Sequence, residues 1–176
     1  MNNLLSYCGL VDARISASEK DLPVWVEEEI KKMIQEGIPS ENIVLVGVSQ
    51  GGALTLYTAL HTQYKLGGFI AIITWLPLLK LEPPYSLPTP VNKDTPILHM
   101  NGNQDVLVPP AAGRASATAM QRVFTNYQQE HVMGDHLSIA INPLYNPTVY
   151  CWLKKNVPNM AFSTQSHDKY GCSASK

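Results

Sequence analysis

A chain of 176 residues with 45% hydrophobic side chains fits one packed domain and is too apolar for global disorder. Thirteen Lys and Arg offset fourteen Asp and Glu, for a net charge of −1, which excludes the basic excess that nucleic-acid surfaces and polybasic membrane anchors require. With charged residues at only 15%, specific neutral or apolar partners are the ones left open.

Met1 to Lys20 carries no clear period. Asp21 to Glu36 predicts a helix, with Asp21 as N-cap and Pro23 in the first turn, where a missing N–H costs nothing. Val24, Ile30, Met33 and Ile34 form its apolar stripe, and Gly37 followed by Ile38-Pro39 stops it. Ile43 to Val48 is rich in β-branched residues with no polar alternation, as in a strand buried on both faces. Gly51 to His61 follows as a helix, Gly67 to Thr74 as a second buried strand and Thr95 to Met100 as a third. Ala111 to Arg122 is alanine-rich and helical, Val123 to His131 is a weak strand, and Pro147 to Lys155 is a helix. The Pro-rich stretch 81–90 reads as a surface loop. Strands alternating with helices predict an α/β fold with a mostly parallel sheet flanked by helices. The expected division is one domain over 1–160 and a polar, disordered tail over 161–176.

Gly47-Val48-Ser49-Gln50-Gly51 fits G-x-S-x-G between a buried strand and a helix, the setting a nucleophile elbow needs. A sharp turn strains the serine backbone, so small residues must stand two positions away on each side, and Gly47 and Gly51 do. The Gln50 N–H, at the positive end of the following helix, is the candidate oxyanion donor. A serine is a weak nucleophile without a base oriented by an acid, and in this fold the chain order is Ser, Asp, His. Asp105 follows the third strand, at the strand end where parallel sheets place chemistry. Asp94 precedes that strand and would lie at the wrong end. His131 and His136 both qualify as the base by order. His136 is preferred, because the Gly-bearing loop Met133-Gly134-Asp135-His136 can swing an imidazole over the sheet. His61 and His99 read as structural, and His167 falls in the tail.

The segments Gly37-Ile38-Pro39-Ser40-Glu41-Asn42, Ser49-Gln50-Gly51-Gly52-Ala53-Leu54-Thr55-Leu56-Tyr57 and Trp75-Leu76-Pro77-Leu78 resemble the acyl-protein thioesterase and lysophospholipase branch of the α/β-hydrolases. A weaker likeness runs through Asp105-Val106-Leu107-Val108-Pro109 to His136. The resemblance implies a cytoplasmic serine hydrolase that removes palmitoyl and similar groups from S-acylated proteins and also acts on lysophospholipids and small esters. It implies Ser49 as nucleophile, Asp105 as acid, His136 as base, and Trp75 and Leu76 at an acyl-binding groove, with no metal or cofactor. Plain core packing is the competing reading of those two residues.

The family's early strand ends in a His-Gly loop that supplies a second oxyanion donor, and no His-Gly occurs among residues 1–48. The N-terminal strands of the fold are therefore expected to be lacking. Loss of one such donor costs roughly 10²–10³ in turnover, and Ile43 to Val48 is expected to show an unprotected apolar edge unless another segment pairs there. These departures motivate alternatives: an impaired or inactive relative that binds acylated proteins, or a fragment unable to fold alone. Cys8, Cys151 and Cys172 are odd in number and widely spaced, which predicts neither a disulfide framework nor a metal site and points to a reducing compartment. No secretory signal is expected. The longest apolar stretch, Gly67 to Leu79, is thirteen residues, below the roughly twenty needed to span a bilayer. Oligomeric state is not readable.

Overall fold

In the apolar runs without alternation, successive side chains point to opposite faces, so both faces of each strand need cover. A computed structural model, which describes residues 3–7, 24–76, 89–141, 147–157 and 172, shows that cover. Five parallel strands form one sheet in sequence order: β1 (Asn3–Tyr7), β2 (Ile43–Val48), β3 (Gly68–Ile72), β4 (Ile97–Gly102) and β5 (Tyr127–Val132). Each step moves one strand in the same direction, so right-handed crossovers put the intervening helices on one face. Those helices are α1 (Val24–Gln35), α2 (Gln50–His61) and α3 (Pro110–Met120). They bury Val26, Ile30, Leu56 and Met120 against Ile43, Leu45, Phe69 and Ile97. The other face carries α4 (His136–Ala140) and α5 (Pro147–Asn156), where Ile139, Val149, Trp152 and Leu153 cover Val44, Val46, Ile70 and Leu98.

The α/β-hydrolase-like architecture expected from the sequence is the one observed, with one correction at its start. The serine strand does not present an open edge on its first side. Asn3–Tyr7 lies parallel to it, pairing Asn3 with Ile43 and Tyr7 with Gly47, inside a segment whose sequence shows no period. At the opposite edge, β5 carries Gln128, Gln129, Glu130 and His131, and such polar residues discourage edge-to-edge pairing.

Smaller shifts have local causes. β3 ends at Ile72 because Ile73 turns the chain at φ 47°. β4 starts at Ile97 because the Thr95 N–H is taken by the Asn92 carbonyl and Pro96 has none to give. β5 starts late because the N–H groups of Val123 and Phe124 still bond Met120 at the end of α3. Gly37, at φ 90°, ends α1 with Gly37 N–H on Ile34 and Ile38 N–H on Met33, a glycine-dependent helix stop. The N-cap Asp21, the loop over 81–88 and all of the tail except Cys172 lie outside the described residues.

The cysteine expectation is also corrected: Cys151 of α5 forms a disulfide with Cys172. Twenty-one positions separate them in sequence, and the spacing by itself shows no pairing pattern.

Candidate active site

β2 delivers the chain to Ser49, which sits at φ 55° and ψ −117°, a left-handed conformation that is strained for any residue with a side chain. The turn closes only because its neighbours are small. A Cβ on Gly47 would overlap the Gly51 carbonyl and the Thr55 hydroxyl. A Cβ on Gly52 would come within 2.7 Å of Thr74 Cβ. The turn is held by three hydrogen bonds. Ser49 N–H donates to the Ile72 carbonyl at 2.9 Å, and the Ser49 carbonyl accepts from Ala53 N–H at 3.0 Å. The same carbonyl accepts from Thr74 Oγ1 at 2.7 Å. Gln50 is the first residue of α2, so its N–H has no acceptor within the helix and is free for an incoming oxygen.

Asp105 lies in the loop after β4, with its carboxylate fully buried. Oδ1 accepts Leu107 N–H at 2.9 Å and Val108 N–H at 2.8 Å. That leaves Oδ2 aimed at His136 Nδ1, 2.7 Å away. His136 is the first residue of α4. Asp135 caps that helix by accepting Ser138 N–H at 2.8 Å, while Ser138 Oγ accepts Asp135 N–H at 3.0 Å. The Ser138 backbone bond also holds the Asp135 carboxyl below its ordinary range.

The acid and base loops are joined by backbone bonds. Asn103 N–H donates to Val132 at 3.0 Å and Gln104 N–H to Gly134 at 3.1 Å. Gly134 takes φ 143°, and a Cβ there would meet Ser138 Oγ at 2.8 Å. His136 Nε2 then reaches Ser49 Oγ at 3.0 Å. Because the buried carboxylate accepts from Nδ1, Nδ1 carries the imidazole proton and Nε2 is left to accept from the serine hydroxyl.

The structure therefore brings together Ser49, His136 and Asp105, from three separate loops. His131 stays exposed at the end of β5. Asp94 lies before β4, where its Oδ1 accepts the Thr125 hydroxyl at 2.8 Å. His61 ends α2, stacked on Tyr57 with ring centroids 4.0 Å apart. Trp75 is half-buried, whereas Leu76 is packed into the core and its N–H donates to Ser116 Oγ at 2.8 Å. Of these two, only Trp75 keeps surface to offer a ligand. Among the described residues, no group of three or more His, Cys, Asp or Glu side chains is placed to hold a metal ion, and no helix is long and apolar enough to cross a membrane.

Behind the serine turn lies a polar cluster that no sequence motif marks. His99 and Asn101, fully buried on β4, both bond the Thr74 carbonyl, through Nε2 at 3.1 Å and Nδ2 at 3.0 Å. The signal was present: a polar residue inside a strand buried on both faces must find an internal partner. Burial lowers the His99 pKa to about 4, with the Thr74 bond opposing and His131 adding to the fall.

A parallel sheet with a strained serine at the end of a central strand, facing an imidazole and a buried carboxylate, defines an α/β-hydrolase fold with a candidate site of the serine-hydrolase type. The chain belongs to the phospholipase/carboxylesterase family, whose family model matches residues 11–144. It is 38% identical over 115 residues to acyl-protein thioesterase 1 of Kluyveromyces lactis, covering 64% of this chain and 50% of that protein. It is 39% identical over 92 residues to acyl-protein thioesterase 1 of Gibberella zeae, covering 52% of this chain and 39% of that protein. The chain thus spans half or less of the length of these curated relatives. Among solved structures, Arabidopsis thaliana SOBER1 superposes with a TM-score of 0.61 at 28% identity, over 75% of this chain and 61% of that one. Zea mays acyl-protein thioesterase 2, at 19% identity and a TM-score of 0.56 over 74% of this chain and 63% of its own, shares the fold.

Proposed function

We propose that this chain is a serine hydrolase that removes fatty-acyl groups from protein cysteine thioesters, with small esters and lysophospholipids as further substrates. The observation that carries the reading is the unbroken series Asp105 Oδ2, His136, Ser49 Oγ at 2.7 and 3.0 Å. His136 Nε2 takes the serine proton as Oγ attacks the acyl carbonyl carbon. Asp105 stabilises the imidazolium formed. The Gln50 N–H donates to the tetrahedral oxyanion, at the N-terminus of α2, where the helix dipole favours negative charge. The protonated His136 then gives its proton to the leaving thiolate or alkoxide. Water, deprotonated by the same ring, releases the fatty acid and restores Ser49. The acyl choice is supported by the thioesterase relatives and by Trp75, a half-buried aromatic residue that directly follows the Thr74 bonded to the serine turn.

The test is covalent labelling with a fluorophosphonate probe, together with hydrolysis of a palmitoyl thioester. Labelling of the parent chain and its loss in Ser49→Ala are expected. Equal labelling in Ser49→Ala overturns the reading. A parent chain that binds acyl peptide without turnover supports instead an acyl-protein binder.

We propose a cytoplasmic location, as the resemblance to the acyl-protein thioesterase branch implies. The Cys151–Cys172 disulfide favours a second reading, an oxidising compartment, because such bonds are lost in reducing cytosol. Counting free thiols in the chain isolated from cells under acid quench separates the two: three free thiols support the first, one the second.

A further inference from the structure

Ser49 is not the only side-chain-bearing residue in a left-handed conformation here. Ile73, at φ 47°, is a costly exception for a β-branched residue. Its N–H donates to the Met100 carbonyl at 2.6 Å. The bend it makes delivers Thr74, fully buried, beneath the serine turn, where Oγ1 reaches the Ser49 carbonyl. The Thr74 carbonyl in turn accepts from His99 and Asn101. A carbonyl has no proton to give, so His99 carries its own on Nε2 and its Nδ1 is an acceptor. The Tyr127 hydroxyl, 2.6 Å away, is the donor to Nδ1.

We propose that Thr74, His99 and Tyr127 are positioning residues of the nucleophile: Tyr127 O–H to His99, His99 N–H to the Thr74 carbonyl and Thr74 O–H to the Ser49 carbonyl hold the backbone on which the serine stands. The proposal rests on the reading of Ser49 as nucleophile. None of the three touches substrate, and each acts through the next. The series runs from edge strand β5 through β4 to the loop after β3 and ends on the serine turn. Three parts of the sheet thus fix one backbone carbonyl.

A strained residue persists only where its surroundings over-determine it. The Ser49 carbonyl would keep the Ala53 N–H without Thr74, so losing the threonine hydroxyl loosens the turn without dissolving it. Gly52 packs against Thr74 Cβ and transmits its position to the start of α2. Asn101, set against Gly113, steadies the Thr74 carbonyl from a second direction. The position of Oγ relative to His136 Nε2 then depends on a hydroxyl that never meets the reactants.

Thr74→Val keeps the side-chain shape and removes the donor. Thr74→Ser restores the donor. With a short-chain nitrophenyl ester, Thr74→Val is expected to lower kcat about 10- to 100-fold at nearly unchanged KM, the effect of displacing an attacking atom by a fraction of an ångström to an ångström. Thr74→Ser is expected to recover kcat to within about threefold of the parent, and Tyr127→Phe to lose kcat in the same direction as Thr74→Val. The amide resonance of Ser49 is expected to move in Thr74→Val and to return in Thr74→Ser, whether or not the chain turns over ester. An unmoved Ser49 resonance in Thr74→Val, or a kcat loss that Thr74→Ser fails to recover, overturns the proposal. Full turnover by Ser49→Ala sinks the serine-hydrolase reading instead. The Ser49 resonance then decides the positioning claim by itself.

Discussion

Asp105 uses its two oxygens for different purposes. Oδ1 is fixed by two backbone N–H groups of its own loop, and Oδ2 faces the imidazole. Asp105→Asn keeps the first set, because an amide oxygen accepts as a carboxylate does. It reverses the second, since the amide nitrogen donates where Oδ2 accepted. His136 must then accept at Nδ1 and carry its proton on Nε2, which can no longer take the serine proton. Turnover is expected to fall by roughly 10⁴-fold with the fold intact, measured as kcat on a nitrophenyl ester beside an unchanged melting temperature. At this scale Ser49 and Asp105 were legible as candidates and His136 as one of two, because strand ends and chain order limit where each can stand. The choice of His136 over His131 needed the loop: Gly134 and the Asp135 cap turn one ring inward, while the other stays on the strand. Thr74, His99 and Asn101 were not legible as a group, because their bonds join residues 25 and 27 positions apart.

The serine element works through absent side chains. The overlap a Cβ on Gly47 would make is with backbone, which cannot rotate away. Gly47→Ala is expected to cost about 3 kcal/mol or more. For a chain of this size that lowers the melting midpoint by roughly 6–12 °C, read by calorimetry. β2 and α2 were readable almost to the residue, because a doubly buried strand and a G-x-S-x-G turn are local patterns. β1 was not. Asn3–Tyr7 is five residues with no repeating pattern, and pairing with β2 makes it a strand. The ends of β4 and β5 were displaced by bonds that helix α3 and the Asn92 turn impose on them.

For the molecule as a whole, the buried His99 sets a pH dependence. Its pKa in the folded chain is about 4, below the ordinary 6.5, chiefly through burial. Below 6.5 the unfolded chain takes up a proton that the folded chain refuses. The contribution is therefore complete above that pH and is lost as pH falls toward 4, at up to about 1.4 kcal/mol per unit and about 3 kcal/mol in all. Urea midpoints at neutral and mildly acid pH are expected to fall more steeply in the parent than in His99→Gln. An equal slope in both would remove His99 as the cause. The amino-acid order alone determined the fold class, the buried strands and Ser49 and Asp105 as candidates, since each leaves a pattern within a few neighbouring positions. Tertiary structure alone decided the neighbour of the serine strand, the Cys151–Cys172 bond, the selected histidine and the bonds beneath Ser49. Each of these is a contact between segments distant in sequence, and its geometry exists only once the sheet has set their register.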